Sequence, residues 1–164
     1  MKEILFGYAA YNYWANQKLA HVLRKLEKPA ADQELVSSFP SIRKTVYHLW
    51  CAESMWYQRL QLAEKAVDPT IHFEGDFEEA IDHWLHQSRL LRDWVKHATA
   101  VRLEHTLAYI DRAKEYHKVP VKDVLLHIFN HTSYHRGQLV TLLRQVGVSK
   151  IPGMDYDDFT QGKK

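Results

Sequence analysis

The chain has 164 residues, of which 46% are hydrophobic and 26% charged, an ordinary globular balance that excludes a disordered chain. Lys and Arg number 22 against 20 Asp and Glu, so the formal net charge is only +2, which argues against nucleic-acid binding. The single cysteine, Cys51, excludes an internal disulfide framework, and we expect it to be a small core residue. Eleven histidines are the unusual feature of the composition.

The beginning of the chain gives no sign of a targeting or membrane segment. It is aromatic and polar, without the apolar core and small-residue cleavage site of a signal peptide. No stretch approaches the roughly 18 consecutive apolar residues of a membrane-spanning helix. We therefore expect one domain over residues 1–164, located in a reducing compartment, most simply the cytoplasm, and without a membrane partner.

The first half of the chain contains two stretches with the period of a helix. Apolar residues recur at intervals of three and four from Leu5 to Leu26, and Lys28-Pro29 ends this stretch. A second helix is predicted to open near residues 38–41, with Pro40 suited to its first turn, and its pattern fades by residues 62–65.

Two further helices are predicted in the second half of the chain. Asp76 followed by Glu79 is the pattern of a capping box, and it starts a helix whose apolar face continues to Val95. The longest helix opens at Pro120 and stops at Gly147, a residue type common just after a helix end.

The connections complete the predicted fold. Within residues 98–119, apolar and polar positions alternate from Val101 to Tyr109, which predicts a strand, and Glu115–Val119 can return as its partner. Residues 151–164 are rich in turn formers, and we expect the last few to be frayed. The prediction is an all-α four-helix bundle with two long connections and a short β-hairpin between the third and fourth helices.

Several catalytic patterns are absent from the sequence. There is no glycine-rich dinucleotide or nucleotide loop, no Gly-x-Ser-x-Gly and no His-Glu-x-x-His. The chain also lacks any Glu-x-x-His pair, which excludes a di-iron carboxylate bundle.

Histidines at four-residue intervals are the remaining pattern that indicates a functional site. His127, His131 and His135 follow one another along the last long helix, and each step of four residues rotates by only about 40°, so neighbouring rings can share one metal ion. Spacing alone is a weak signal because eleven histidines produce such pairs by chance, and a polar helix face with core or surface histidines is the alternative. His48, on the inward side of the second helix, is a candidate third ligand.

Polar residues near these histidines are candidates for the surroundings of a site. Gln138 follows His131 by seven residues, a net rotation of about 20°. Asn12 lies in the apolar stripe of the first helix and is either a group beside the ligands or a buried asparagine that fixes helix register. Arg136 could hold an anionic substrate group or lie in solvent or an interface, and we interpret Glu53 as an ion-pair residue. No residue is assigned as catalytic.

Four segments span nearly the whole chain, and in chain order they are YNYWANQKL, SIRKTVYHLWCAESMWYQRL, LLHIFNHTSYHRGQLVTLLRQVG and IPGMDYDDF. They resemble the DinB family, within the DinB/YfiT-like superfamily. The resemblance implies a four-helix bundle that holds a divalent metal ion on three histidines. Matched residue by residue, these are His48, His131 and His135. His127 is not implied as a ligand, and we interpret it as a core histidine or a neighbour of the ligands.

The resemblance also indicates a class of chemistry. Some relatives in the superfamily are thiol-dependent transferases or isomerases, and others look like metal-dependent hydrolases. We therefore expect a metal-dependent enzyme that acts on a small molecule, with a low-molecular-weight thiol as one candidate substrate. The alternatives are a non-catalytic metal-binding or stress-response bundle and a purely structural helical protein. Imidazole ligands suit zinc, nickel, copper or iron, of which we take zinc or nickel as the first candidates. The resemblance together with the aromatic content predicts a homodimer.

Overall fold

The structure, a computed structural model, describes residues 1–111 and 113–162 and shows the predicted four-helix bundle. In chain order the elements are α1 (Lys2–Leu23), α2 (Lys28–Asp32), α3 (Ile42–Leu60), α4 (Phe77–His97), α5 (Ala100–Glu104), β1 (Thr106–Ile110), β2 (Tyr116–Pro120), α6 (Val121–Gln145) and α7 (Tyr156–Thr160). The long helices α1 and α3 each pack against both α4 and α6, so α1 and α3 lie diagonally across the bundle. None of the helices in the described residues is both long and apolar enough to cross a bilayer.

The predicted hairpin is present, but its first strand is shorter than the alternating pattern suggests. Strand β1 pairs with β2 in antiparallel fashion, with Leu107 opposite Val119. Residues 100–104 are the helical turn α5 and not the beginning of a strand. The reason is a local cap, because the Thr99 side chain accepts a hydrogen bond from the backbone N–H of Arg102.

Caps also fix where α3 and α4 begin. The Ser41 side chain accepts a hydrogen bond from the backbone N–H of Lys44, which makes Ser41 the residue before the helix. Pro40 therefore lies outside the first turn, contrary to the prediction. The predicted capping box of Asp76 and Glu79 is confirmed, since each side chain accepts a hydrogen bond from the other residue's backbone N–H.

The last part of the chain contains a helix that was predicted as turns. Helix α7 packs on α1 through aromatic side chains, and the Tyr156 ring stacks on that of Tyr8 at a centroid distance of 4.9 Å. The Tyr11 hydroxyl donates to the carbonyl of Met154 at 2.8 Å and ties the segment before α7 to the bundle. The expected fraying at the C-terminus falls on residues 163–164, which lie outside the described residues.

The hydrophobic core of the bundle has two parts. The first half-core, near the hairpin, includes Leu5, Leu60, Leu91 and Val124, one from each long helix. The second half-core, at the opposite end, includes Leu19, Leu49, Trp84 and Leu139. All eight side chains are almost completely buried.

A polar layer separates the two half-cores at the middle of every long helix. Its members are buried, and they are Asn12 and Asn16 of α1, Glu53 of α3, Ser88 of α4, and Thr132 and Arg136 of α6. Along each helix these residues fall between the positions of the two half-cores. The layer therefore fixes the height at which the helices face one another, and through α3 and α6 it adjoins the histidines described next.

Candidate metal centre

Three histidine side chains converge where α3 packs against α6. The Nε2 atom of His48 lies 3.1 Å from Nε2 of His131 and 3.1 Å from Nε2 of His135. All three candidate ligand atoms lie within 4.8 Å of one another. Two nitrogens bound tetrahedrally to one zinc ion are about 3.3 Å apart, so this cluster fits one divalent ion with only small shifts.

Helix geometry explains how these ligands meet. His131 and His135 are one turn apart on α6, so their rings lie side by side, with centroids 4.4 Å apart. The residues that follow them, Thr132 and Arg136, point into the polar layer. Because of this rotation of α6, His131 and His135 lie at the edge of the core. On α3, His48 follows the buried Val46 and precedes the buried Leu49, and its ring lies half-buried beside them.

Gln138 holds the ring of His135. The amide oxygen of Gln138 lies 2.7 Å from Nδ1 of His135 and can only accept, so this nitrogen carries the ring proton. Nε2 of His135 is then the unprotonated nitrogen, which faces the cluster as a metal ligand requires. The Gln138 amide N–H group donates in turn to the Ser38 hydroxyl at 3.0 Å. Gln138 thus lies beside the candidate ligands, where the sequence placed it.

Phe39 covers one side of the cluster, and sequence reasoning gave it no role. Its ring stacks on that of His48 at a centroid distance of 4.1 Å and also lies 5.6 Å from that of His135. Phe39 belongs to the irregular segment between α2 and α3. The only signal in the sequence was an aromatic residue just before the helix cap Ser41.

The electrostatics of the cluster favour a neutral imidazole at His131. Burial, together with the positive charges that His135, His48 and His127 would carry, lowers the pKa of His131 to about 4. His131 is therefore neutral at neutral pH and ready to act as a ligand, because a metal ion binds only unprotonated imidazole.

His127 lies outside this cluster and at the surface. Its ring is exposed and packs edge-on against Trp56 at 5.3 Å and tilted against His131 at 5.7 Å. The expectation of a core histidine is wrong, because this position on α6 points beyond the edge of α3. Partial burial against these rings still lowers the pKa of His127.

Asn12 lies in the polar layer and bridges two charged groups. Its amide N–H group donates to a Glu53 carboxylate oxygen at 2.8 Å, and its amide oxygen accepts from the Arg136 guanidinium at 2.6 Å. Asn16 makes the same two kinds of contact, at 3.3 Å and 2.9 Å. Arg136 is only 4% exposed, so the expectation that it faces substrate, solvent or an interface is wrong.

Glu53 is the centre of this layer. Its carboxylate accepts hydrogen bonds from Asn12, Asn16, Ser88 and Thr132, one or two from each of the other long helices. Burial raises the pKa of the Glu53 carboxyl above its ordinary range, while the hydrogen bonds and the charge of Arg136 act in the opposite direction. The sequence led us to expect an ion-pair residue here, but in the structure the amides of Asn12 and Asn16 lie between the Glu53 carboxylate and the Arg136 guanidinium.

A cavity of about 450 Å³ opens on the histidine cluster, and we call it the histidine cavity. His48 and His131 form one end of it, and Met55, Trp56 and Arg59 of α3 form its wall. Its size is that of a small-molecule site. The cluster therefore borders an open cavity whose lining does not include Phe39.

The fold and the histidine cluster together define a helical bundle with a candidate divalent-metal centre, and comparisons with known proteins agree with this class. The sequence model of the DinB family matches residues 1–163. Protein DinB of Bacillus subtilis (strain 168) is 30% identical, over 95% of this chain and 93% of that protein. The chain belongs to the DinB family.

A solved structure supports the fold independently. The crystal structure of a DinB-like protein from Bacillus cereus ATCC 10987 superposes with a TM-score of 0.68. The match covers 88% of this chain and 91% of that one at 19% sequence identity, so it shows a shared fold and nothing about activity.

Proposed function

We propose that this DinB-family protein binds one divalent metal ion on His48, His131 and His135 and acts as a metal-dependent enzyme on a small molecule. The observation that carries the proposal is the convergence of three Nε2 atoms beside an open cavity. We place zinc and nickel first among the ions that imidazole ligands suit, which also include copper and iron. Zinc sites that only stabilise a fold commonly have four protein ligands, whereas three protein ligands leave a position open.

Each neighbouring residue has a definite task in this proposal. Gln138 keeps the proton of His135 on Nδ1, so that Nε2 stays available to the ion. Phe39 covers one side of the cluster, and the histidine cavity, whose lining does not include Phe39, admits the substrate. A bound divalent ion would supply an open coordination position at which a thiol or a water molecule loses its proton readily.

Thiol transfer is the reaction that we place first. Among the described residues, no carboxylate belongs to the group of candidate ligand atoms around the histidines, so the cluster itself offers no carboxylate base to assist water. Asp111 lies on the cavity wall, where both its oxygens accept hydrogen bonds within the hairpin. A thiol substrate needs no such base once its proton is lost. Its sulfur then forms a bond to an electrophilic carbon, whose leaving group departs with the electron pair. Hydrolysis is the second candidate.

Metal analysis of the purified protein tests the proposal. We expect about one zinc or nickel ion per chain, and we expect His131→Ala and His135→Ala to abolish stoichiometric binding. His127→Ala should largely spare binding, and His86→Ala, an exposed histidine on α4, is the matched control. A wild-type protein that binds no divalent ion at neutral pH would remove the basis for enzyme activity. Metal binding without an exchangeable ligand position would favour the non-catalytic bundle.

A further inference from the structure

The histidine cavity extends from the cluster along α3. Four of its lining residues follow one another along this helix at intervals of four, three and four residues, and they are His48, Ala52, Met55 and Arg59. From His48 to Arg59 the helix rotates by eleven residues, a net difference of only about 20°, and rises about 16.5 Å. The cavity is thus elongated, with imidazoles at one end and a guanidinium at the other.

Aromatic rings hold the guanidinium of Arg59 at the far end. Its central carbon lies 4.5 Å from the ring centroid of Trp56 and 4.5 Å from that of Tyr109. The two rings are nearly perpendicular, with centroids 5.1 Å apart, so they form a corner in which the cation sits. A guanidinium positioned in this way loses little side-chain freedom when it binds an anion.

Of the lining residues that the structure describes, the other charged group is Asp111, and both its oxygens accept hydrogen bonds within the hairpin. One accepts a hydrogen bond from the backbone N–H of Glu115 at 2.9 Å, and the other from Nε2 of His117 at 2.9 Å. Among the described lining residues, Arg59 is the only lysine or arginine. The wall between the two ends is formed largely by Met55 and the Trp56 ring and is apolar.

We propose that the histidine cavity binds an elongated small molecule whose thiol lies at the histidine cluster and whose anionic group pairs with Arg59. An apolar segment of the molecule would lie between them on Met55 and Trp56. This inference rests on the proposed function, because it needs a metal ion to hold the thiol end. It adds the requirement that the substrate carry a carboxylate or a comparable anion at a fixed distance from its sulfur.

The test uses the protein loaded with Co²⁺, whose absorption changes when a thiolate binds the ion. Straight-chain thiols of increasing length are titrated in three forms, ending in a carboxylate, an alcohol or an ammonium group. We expect one chain length at which the carboxylate form binds about tenfold more tightly than the alcohol of equal length. The ammonium form should bind least well.

Variants of Arg59 make the test specific. Arg59→Gln should remove the carboxylate preference, so that the carboxylate and the alcohol of equal length bind equally tightly. Arg59→Lys should keep most of the carboxylate preference. This variant separates loss of the positive charge from a folding defect caused by replacing Arg59. Arg89→Gln, a change on the exposed side of α4, is the control and should behave like the wild type.

The possible failures are distinguishable. If Co²⁺ does not bind, the proposed function is overturned and this inference with it. If Co²⁺ and 2-mercaptoethanol both bind but the carboxylate gives no advantage at any length, this inference alone is wrong. A preference for the ammonium form would also overturn it and would identify Asp111 as the dominant charge in the cavity.

Discussion

Gln138 positions one of the candidate metal ligands, His135, without being a candidate ligand itself. Its amide oxygen fixes the ring of His135, and its amide N–H group reaches Ser38 in the segment that carries Phe39. This one side chain therefore connects a ligand on α6 with the covering segment before α3.

Replacement of Gln138 should weaken metal binding without unfolding the protein. We expect Gln138→Leu to reduce zinc affinity by about 10- to 100-fold, because the ring of His135 loses the acceptor that fixes its proton and orientation. Competition with a chromogenic chelator measures the affinity. Gln145→Leu, two turns further along α6 on an exposed position, is the control and should leave it unchanged. Equal zinc affinities in both variants would show that the Gln138 contact does not contribute to metal binding.

His131 should make the stability of the metal-free protein depend on pH. Its pKa is about 4 in the folded protein and about 6.5 in an unfolded chain, so below pH 6.5 the unfolded chain takes up the proton first. Folding stability should fall as the pH drops from 6.5 towards 4, by about 1–2 kcal/mol from this residue, since solvent around a half-buried ring weakens the full effect. Thermal unfolding of the wild type and His131→Gln at several pH values measures the difference. If stability changes with pH to the same extent in both proteins, the lowered pKa of His131 is contradicted.

At the scale of elements, the polar layer is the feature that joins the four long helices. Glu53 receives hydrogen bonds from α1, α4 and α6, and Asn12 and Asn16 connect it to Arg136. Because Thr132 and Arg136 each follow a candidate ligand, the layer also sets the rotation of α6 about its axis at the metal centre.

Removal of the Glu53 carboxylate should be strongly destabilising. We expect Glu53→Ala to lower the free energy of unfolding by about 3–5 kcal/mol, because it leaves the charge of Arg136 buried without its partner. Urea unfolding followed by circular dichroism measures the loss. Glu34→Ala, at an exposed position between α2 and α3, should change the stability by less than about 0.5 kcal/mol. If Glu53→Ala has an effect as small as that of Glu34→Ala, the polar layer contributes little to the stability of the fold.

The sequence predicted some of these features because their signals are local. The long helices follow from apolar spacing, and the four-residue intervals on one of them single out His127, His131 and His135, without choosing between the two pairs. Assigning His48 to the same site needed the family resemblance, since the sequence of neither helix determines how far apart the two helices lie. The contacts of Phe39, and the burial of Glu53 and Arg136 in one layer, depend on tertiary packing, which a single helix pattern does not contain.

At the scale of the whole molecule, we predict a homodimer. The apolar side chain of Val36 is fully exposed and that of Tyr134 is 62% exposed, and both line one shallow groove on α6 near the segment before α3. Sedimentation at micromolar concentration should give about twice 19.3 kDa. The double change Val36→Ser and Tyr134→Ser should yield a monomer, whereas Tyr116→Ser on the hairpin should not. A wild-type monomer at all concentrations would refute the prediction.

The division of the core into two halves has a consequence for amide hydrogen exchange. Opening either half-core lets water reach Glu53 and Arg136, and this hydration offsets part of the cost of the exposed apolar surface. Each half can therefore open without the other, and slow amides should fall into two groups with different protection factors. A metal ion on His48, His131 and His135 ties α3 to α6 next to Leu49 and Leu139, so its binding should slow exchange mainly in the second half-core.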